Sequence, residues 1–337
     1  MRIIRNTQIA HLIVAGICLF LPILPAQASI QDGRWAILIA GVSGDADLQK
    51  TYLKELQDLH STLVGQLEFA SDHIYSLFDD PSLAPDLIQY KSTRDSLAKV
   101  CQEIAGQAGE DDLVFVFIEG HGSYDQKIYK LNLVGPDPNA DDLAEMLYSI
   151  PARRFVVINA TNTSGASLSA LSGKGRIVVS ATRSGSEGNQ TRFGGFWVDA
   201  LKNNNADMDK DGRTSAYEAF NYAVQMVERY YTDEGQLQTE HPVLNDNGVA
   251  MNQVKEFSEG SEVLLARSTY LDSGIRRTPS VAMTPEEQQL FDEAQLLERQ
   301  IELLKQEKAG MDLEDYESKL EDLLLRLARI NAKLPKK

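Results

Sequence analysis

The stretch LVFVFIEGHGS, residues 113–123, decides the fold of this chain. Its first six residues form an unbroken apolar run, which is typical of a strand buried on both faces of a sheet. The glycines on either side of His121 then allow the backbone to turn sharply and leave the imidazole uncrowded. The sequence therefore predicts a buried strand that ends in a loop carrying a histidine.

Segments of similar strand and helix character flank this stretch. Further strands are expected at residues 35–41, 73–78, 155–159 and 176–180. Helices are expected around Leu53 to Leu63, at residues 92–104 and at residues 141–150. Strands that alternate with helices predict an α/β fold, here a three-layer sandwich with a mostly parallel sheet between two layers of helices.

Two polar loops follow neighbouring members of this strand series. His121 lies three residues past the end of its strand, and Asn162 lies three residues past the strand at 155–159. Loops at the carboxyl ends of parallel strands collect at one edge of a sheet. If the two strands are neighbours, about 4.8 Å apart, both side chains border one cleft. Spacing alone favours the alternative of two ordinary polar loops.

Length and charge limit the kind of protein this is. The 337 residues are enough for about two structural units. The formal net charge is −16, from 33 basic and 49 acidic residues. Phosphate groups of nucleic acids and anionic membrane surfaces repel such a chain, so we expect neither as a partner. Cations are the more suitable partners for a chain with this net charge.

The N-terminal segment has the pattern of a signal peptide. Arg2 and Arg5 precede an apolar stretch at residues 12–24, and Ala26-Gln27-Ala28 has the form of a cleavage site. We therefore expect residues 1–28 to be removed, no stable membrane span to remain, and the protein to be exported to the periplasm or the outside. A retained N-terminal anchor is the alternative.

Cleavage after Ala28 would leave Cys101 as the only cysteine, because Cys18 lies within the removed segment. No intramolecular disulfide could then form. Cys101 falls on the apolar face of the helix expected at residues 92–104. We expect it to be a buried structural thiol and not a reactive one.

The order of these motifs resembles the caspase-like cysteine peptidases, specifically the legumain-type family and its exported bacterial relatives. The resemblance runs from about Trp35 to Asp272, and includes Gly-His-Gly-Ser, the later Ser164-Gly165 pair, Asp79-Asp80 and residues 240–248. It implies a caspase-like domain over residues 29–272. It also implies that His121 assists a cysteine placed two residues before Ser164.

Asn162 stands where the resemblance implies that cysteine. An amide has no ionisable nucleophile comparable to a thiolate, so the chemistry of the family cannot run from this residue. The resemblance also implies a polar residue near Ser43. We therefore predict a pseudopeptidase, not an enzyme, that works by binding a protein or peptide ligand. In the alternative, a hydrolase, His121 activates a hydroxyl of one of three neighbours: Thr161, Thr163 or Ser164.

A second motif, DMDKDGRTSAYE at residues 207–218, fits the twelve-residue calcium loop D-x-D-x-D-G-x5-E. Oxygen ligands for Ca²⁺ are expected from six positions: Asp207, Asp209, Asp211, the Arg213 carbonyl, Ser215 and Glu218. The apolar stripe after the loop predicts a following helix. One loop without a paired partner indicates a structural ion, not a sensor. An acidic surface turn that binds no metal is the alternative.

The C-terminal region has heptad-like spacing. After a linker at residues 273–283, apolar residues recur at intervals of three and four on both sides of Gly310. This pattern predicts an antiparallel coiled-coil hairpin at residues 284–334. The hairpin either packs on its own domain or projects, as an arm for a partner or for a homo-oligomer. A third functional candidate follows: a coiled-coil assembly protein with an inert caspase-like domain.

Overall fold

The structure is a computed structural model. It describes residues 33–202, 204–210, 212–251, 263–272 and 311–331, together with Lys333 and separate positions between 284 and 304. The expected signal peptide at residues 1–28 and the expected linker at residues 273–283 lie outside the described residues.

Ten strands and eight α-helices make up the described chain. The strands are β1 Arg34–Ala40, β2 Ile74–Phe78, β3 Tyr90–Lys91, β4 Leu113–Glu119, β5 Gly122–Tyr124, β6 Tyr129–Leu131, β7 Arg154–Asn159, β8 Arg176–Ser180, β9 Val243–Asp246 and β10 Val249–Met251. The helices are α1 Ala46–Gly65, α2 Arg94–Ala105, α3 Ala140–Leu147, α4 Leu168–Leu171, α5 Phe193–Lys202, α6 Ala216–Asp233, α7 Leu264–Ser268 and α8 Leu313–Asn331.

Eight of the strands form one sheet in the order β10-β9-β8-β7-β4-β1-β2-β3. The pairings from β8 through to β3 are all parallel, whereas β9 and β10 join one side antiparallel. β4 lies at the centre between β1 and β7, and all seven of its residues are buried. The predicted mostly parallel sheet is confirmed, and β4 and β7 are the neighbours that the cleft requires.

Helices cover both faces of this sheet, as predicted for a three-layer sandwich. Helices α1, α5 and α6 pack on one face together with strand residues such as Leu38 and Phe117. Helices α2, α3 and α4 pack on the other face with Ile37 and Val116. Successive strand residues therefore point into opposite layers, and burial on both sides accounts for the continuous apolar runs of the sequence.

Side-chain caps fix where the helices begin. Asp45 accepts hydrogen bonds from the first backbone N–H groups of α1, and Asn139 and Asp142 form a reciprocal capping box at α3. The helix expected to start at Ser92 starts at Arg94, because the Thr93 hydroxyl caps it by accepting from Ser96 N–H. Caps of this kind set the angle at which each loop leaves the sheet.

The described part of the C-terminal region is helical. α8 forms the second arm, and the described positions of the first arm from Leu290 to Leu304 are in helical conformation. Six apolar residues form a cluster between the arms: Leu290, Ala294, Leu297, Leu323, Leu327 and Ile330. Early residues of one arm meet late residues of the other, which is the pairing of an antiparallel hairpin. None of the helices in the described chain combines the length and apolarity needed to cross a membrane.

Candidate functional site

The loop after β4 presents His121 at the carboxyl edge of the sheet. Gly120 turns the chain with φ of +119°, a conformation that side chains rarely adopt. The half-buried His121 ring places Nε2 3.3 Å from the carbonyl oxygen of Ser43 and packs edge-on against Tyr52, with ring centroids 6.2 Å apart. The turn after β1 therefore holds the imidazole from one side.

Asn162 joins this loop from the end of β7. Its Oδ1 accepts a hydrogen bond of 2.8 Å from the backbone N–H of Gly122, and its Nδ2 donates one of 2.8 Å to the carbonyl of Gly188. The two loops thus meet as the strand spacing indicated. The amide side chain ties the loops after β4, β7 and β8 together, and both of its polar ends are engaged.

The three hydroxyls considered as alternative nucleophiles have different surroundings. Thr161 and Ser164 are fully buried, and their hydroxyls bond to Tyr129 at 2.7 Å and to Thr182 at 3.2 Å, respectively. Thr163 adopts a left-handed conformation with φ of 58°, and its buried hydroxyl has no partner among the described residues. Two of the three candidates are therefore committed to the packing beneath the loop.

The turn beside His121 is fixed by an acidic residue. Asp79, at the end of β2, accepts a hydrogen bond of 3.1 Å from the backbone N–H of Ser43 and another of 3.1 Å from the Gln49 side chain. The Ser43 hydroxyl is buried without a partner in the described chain. Ser43 thus contacts the imidazole through its backbone, whereas Asp79 holds the turn through its carboxylate.

A histidine–glutamate pair borders the same loops and has no counterpart in the sequence-based predictions. His241 Nδ1 lies 2.8 Å from Glu187 Oε1, while the Glu187 carbonyl accepts from Thr163 N–H at 2.9 Å. Glu187 lies between Gly185 and Gly188 in the loop after β8, which is the one signal the sequence offers. Glu187 and His241 are far apart in the sequence, so the sequence does not predict their contact. The fold brings them together because His241 lies just before β9.

The only cysteine of the described chain lies elsewhere. Cys101 is buried in α2 among the residues that pack under the opposite face of the sheet. Burial raises the pKa of its thiol to about 12. A neutral thiol in an apolar layer is a poor nucleophile, so Cys101 fits the expected structural role.

The expected calcium loop brings three carboxylates together. Ligand oxygens of Asp207, Asp209 and Glu218 all lie within 4.8 Å of one another. With Ca–O distances of about 2.4 Å, ligands on opposite sides of Ca²⁺ are about 4.8 Å apart, so one ion fits among them. Asp211 lies outside the described residues. The oxygen-only donor set is the type that Ca²⁺ prefers.

Backbone geometry supports the turn expected in this loop. Gly212 has φ of +88°, and its N–H donates to Asp207 Oδ2 at 2.9 Å. Glu218 Oε1 accepts from Met208 N–H at 3.0 Å, and Glu218 Oε2 accepts from Ser215 N–H at 2.8 Å as part of the capping box of α6. Glu218, the last residue of the loop, therefore contacts the backbone near the first residue of the loop.

The loop is also fastened to the segment that precedes the linker. Ser215 forms a β-bridge with Tyr270, and Ala216 N–H donates to the Thr269 carbonyl at 2.8 Å. The Arg213 guanidinium pairs with the carboxylate of Asp272 and lies 3.7 Å from the centroid of the Tyr270 ring. We call residues 269–272 the strap. In proteins with two calcium loops, the loops pair with each other through a short β-bridge. Here the strap forms that bridge with the single loop.

Comparison with known proteins adds little to this geometry. The chain matches no profile of a known family and no curated protein. Among solved structures, it is similar to protein GSU0716 from Geobacter sulfurreducens with a TM-score of 0.42 and 10% identity. The similarity covers 66% of this chain and 94% of that one. A likeness this distant gives no information about function.

Proposed function

We propose that this chain is an exported pseudopeptidase of the legumain type, stabilised by calcium, that works by binding a protein or peptide at the cleft between His121 and Asn162. The three-layer α/β fold is compatible with the caspase-like domain that the motif order implies. The N-terminal signal pattern supports export. The acidic loop supports a structural calcium ion.

One observation carries the proposal: the side chain of Asn162 occupies the space between the loops. Its amide spans the Gly122 N–H and the Gly188 carbonyl. A hydrolase needs a nucleophile beside His121 and free N–H donors for the developing oxyanion. Here the Asn162 amide supplies no nucleophile. Its Oδ1 also accepts the hydrogen bond of the Gly122 N–H, which is therefore not free to stabilise an oxyanion. The site therefore lacks the groups that cleavage requires, and binding is the role that we propose for it.

The surroundings of the cleft indicate what kind of ligand it takes. The carbonyl of Ser43 lies beside His121, and the Tyr124 ring packs against Gly185 across the loops. Extended peptides use such backbone groups for pairing and pockets for alternate side chains. A peptide segment of a partner protein is the ligand we propose.

A single substitution tests the proposal. Asn162→Cys should place a thiol beside His121, because Cys is close to Asn in volume. It should also free the Gly122 N–H, because the amide oxygen that accepts its hydrogen bond is removed. We expect the unmodified protein to show no cysteine-peptidase activity, and the variant to show His121-dependent cleavage of peptides or of its own chain if the anion-stabilising backbone is intact. The measurement is hydrolysis of a fluorogenic peptide library with and without a thiol-blocking reagent.

The matched control is Asn162→Ser, since it also frees the donor but offers no thiolate at neutral pH. Inactivity of both variants would mean that other groups near Ser43 differ from those of an active site, and would leave binding as the remaining role. Hydrolysis by the unmodified protein that resists thiol blocking and disappears in His121→Ala would contradict the proposal. It would then favour a hydroxyl nucleophile, with Thr163 the one whose hydroxyl lacks a partner in the described chain.

A further inference from the structure

Two glutamate side chains meet directly before the loop that carries His121. Glu119 ends β4 and is 3% exposed, and Glu55 lies on α1. Their carboxyl groups are within hydrogen-bonding reach of each other. Two glycines of α5 make room for them: a Cβ at Gly194 would collide with Glu119 Oε2, and one at Gly195 would lie 2.7 Å from Glu55 Oε1. The pair therefore fills the contact between α1 and α5.

Glu119 Oε2 has no hydrogen-bond donor among the described residues. A buried acceptor without a donor is costly, and two ionised carboxylates side by side would also repel each other. A single proton between the two carboxyl groups resolves both problems, because it supplies the missing donor and removes one of the charges.

We propose that Glu55 and Glu119 share one proton in the folded protein and act as a pH-sensitive latch, whose deprotonation forces α1 and α5 apart and shifts the loop that carries His121. The latch uses none of the groups assigned to ligand or calcium binding. It adds control by pH to a cleft whose role is otherwise binding.

Burial favours the protonated form of the pair, whereas the charged groups around it act in both directions: Lys54 and Arg192 lower the pKa of Glu55, and Asp58 raises it. The groups that interact with it are Tyr52, Lys54 and Asp58 from α1, Arg192 before α5, and Glu240 before β9. The Lys54 ammonium is paired with Asp58 at 2.7 Å, and Glu240 accepts from the Arg192 and Phe193 backbone N–H groups. Burial raises the pKa of Glu55 to about 7 and that of Glu119 well above its usual range, and the charge of Glu240 raises the latter further.

The sign of the effect on stability follows from these directions. Glutamates in an unfolded chain ionise near pH 4.3, about their ordinary pKa, whereas the folded pair keeps its proton to higher pH. The folded state binds more protons in that interval, so the latch destabilises the fold progressively as pH rises from about 4.3 through about 7, where Glu55 ionises, and further until Glu119 with its still higher pKa ionises. Below this interval both states are protonated and the pair has no such effect.

Two contacts connect the latch to the cleft. The carbonyl of Glu119 accepts the Gly41 N–H at 3.0 Å, which links the turns after β1 and β4. Tyr52 lies one helical turn before Glu55 and packs against His121. A shift of α1 is therefore passed to the imidazole directly. Trp197, fully buried one turn after Gly194, reports on the same contact from α5.

The test compares Glu119→Gln and Glu55→Gln with Glu228→Gln, an exposed position on α6 with the same change in charge. We expect the melting temperature of the unmodified protein to fall between pH 5 and pH 9. Each latch variant should equal it at pH 5 and exceed it at pH 9 by roughly 3 to 6 °C. The double variant should gain little beyond either single one, because either change alone removes the repulsion. A smaller slope should persist, since burial also raises the pKa of Glu240 to about 7.

Infrared difference spectra test the shared proton without relying on a variant's stability. The unmodified protein at pH 6 should show the carbonyl stretch of protonated carboxylic acids, and Glu119→Gln should weaken that band, leaving the part that comes from other buried groups such as Glu240. Trp197 emission, read in a Trp35→Phe background, should change with pH unless Glu119 is replaced. A protonated band that is the same in Glu119→Gln as in the unmodified protein, or latch variants whose melting temperatures run parallel to that of the unmodified protein across the pH range, would overturn the proposal.

Discussion

Gly122 has to be glycine because of space and not because of backbone conformation. A Cβ at this position would lie 2.5 Å from the Asn162 carbonyl oxygen, 2.5 Å from the Tyr129 ring and 2.8 Å from the Thr163 hydroxyl. Real Cβ atoms do not approach other atoms so closely. The loops after β4 and β7 can therefore touch only if residue 122 carries no side chain.

Gly122→Ala should therefore separate the two loops. We expect a loss of about 1 to 3 kcal/mol in the free energy of unfolding, since a methyl group must be forced into a filled space. The matched control is Gly188→Ala in the same site, where a Cβ would meet no atom within 4 Å. Chemical denaturation of both variants measures the difference. Equal stabilities would show that the loops yield easily, contrary to the packing described.

The residues at the cleft differ in how far the sequence predicts them. His121 and Asn162 can be assigned to adjacent loops because strand ends fix where each loop starts. The surroundings of Thr161 and Ser164 cannot, because their hydroxyl partners, Tyr129 and Thr182, come from segments with no fixed spacing to them. Glu119 is not predicted either, since a charged residue at a strand end ordinarily faces water.

At the level of elements, the calcium loop and α6 form one unit. Glu218 is both the final expected ligand and the N3 residue of the capping box, so loop and helix share a side chain. Glu218 is also near Asp207 and Asp209, and three close carboxylates repel one another until a cation neutralises them. The unit should therefore be less stable without calcium than with it.

Added calcium at millimolar concentration should raise the melting temperature, by linkage of binding to folding. In Asp209→Asn with Glu218→Gln this rise should be abolished, while stability in a chelator should be unchanged or slightly greater because repulsion is reduced. Glu228→Gln on α6 serves as the control and should respond to calcium like the unmodified protein. Differential scanning calorimetry with and without calcium checks this. An intact calcium response in the double variant would contradict the loop assignment.

The hairpin is stabilised by the seam between its arms. Leu297 is 1% exposed within the cluster that joins the arms, and Leu323 packs against that cluster from α8. Leu297→Asp with Leu323→Asp should lower helicity, because each change puts an unpaired charge into an apolar seam. Leu324→Asp is the control, as Leu324 on the same helix is 47% exposed.

Circular dichroism measures the helicity, and light scattering measures the mass in solution. A homo-oligomer built through residues 284–334 should dissociate in the seam variant and persist in the control. If dichroism and mass are both unchanged in the seam variant, the seam is not what holds the arms together. The assembly role proposed for this region would then lose its basis.

For the molecule as a whole, apolar periodicity predicts the central sheet well and its margins poorly. The five long strands are largely apolar runs, and short runs of this kind, bounded by turn residues, are typical of strands buried on both faces. The strands β3, β5, β6, β9 and β10 have two to four residues each, and the sequence does not predict them. Such strands form because they pair with neighbouring strands. Their sequences are too short to show the alternation of apolar and polar residues from which a strand is predicted.

Those short margins affect how the protein behaves among copies of itself. In the described chain the sheet ends in β3 on one side, with two residues, and in β10 on the other, with three. An exposed strand edge can template pairing with another chain, and long flat edges are the ones that lead to aggregation. Edges this short offer few free backbone groups. The seven-residue strands that would make the strongest templates are enclosed at the centre, so within the described chain only short strands are open to pairing with another copy.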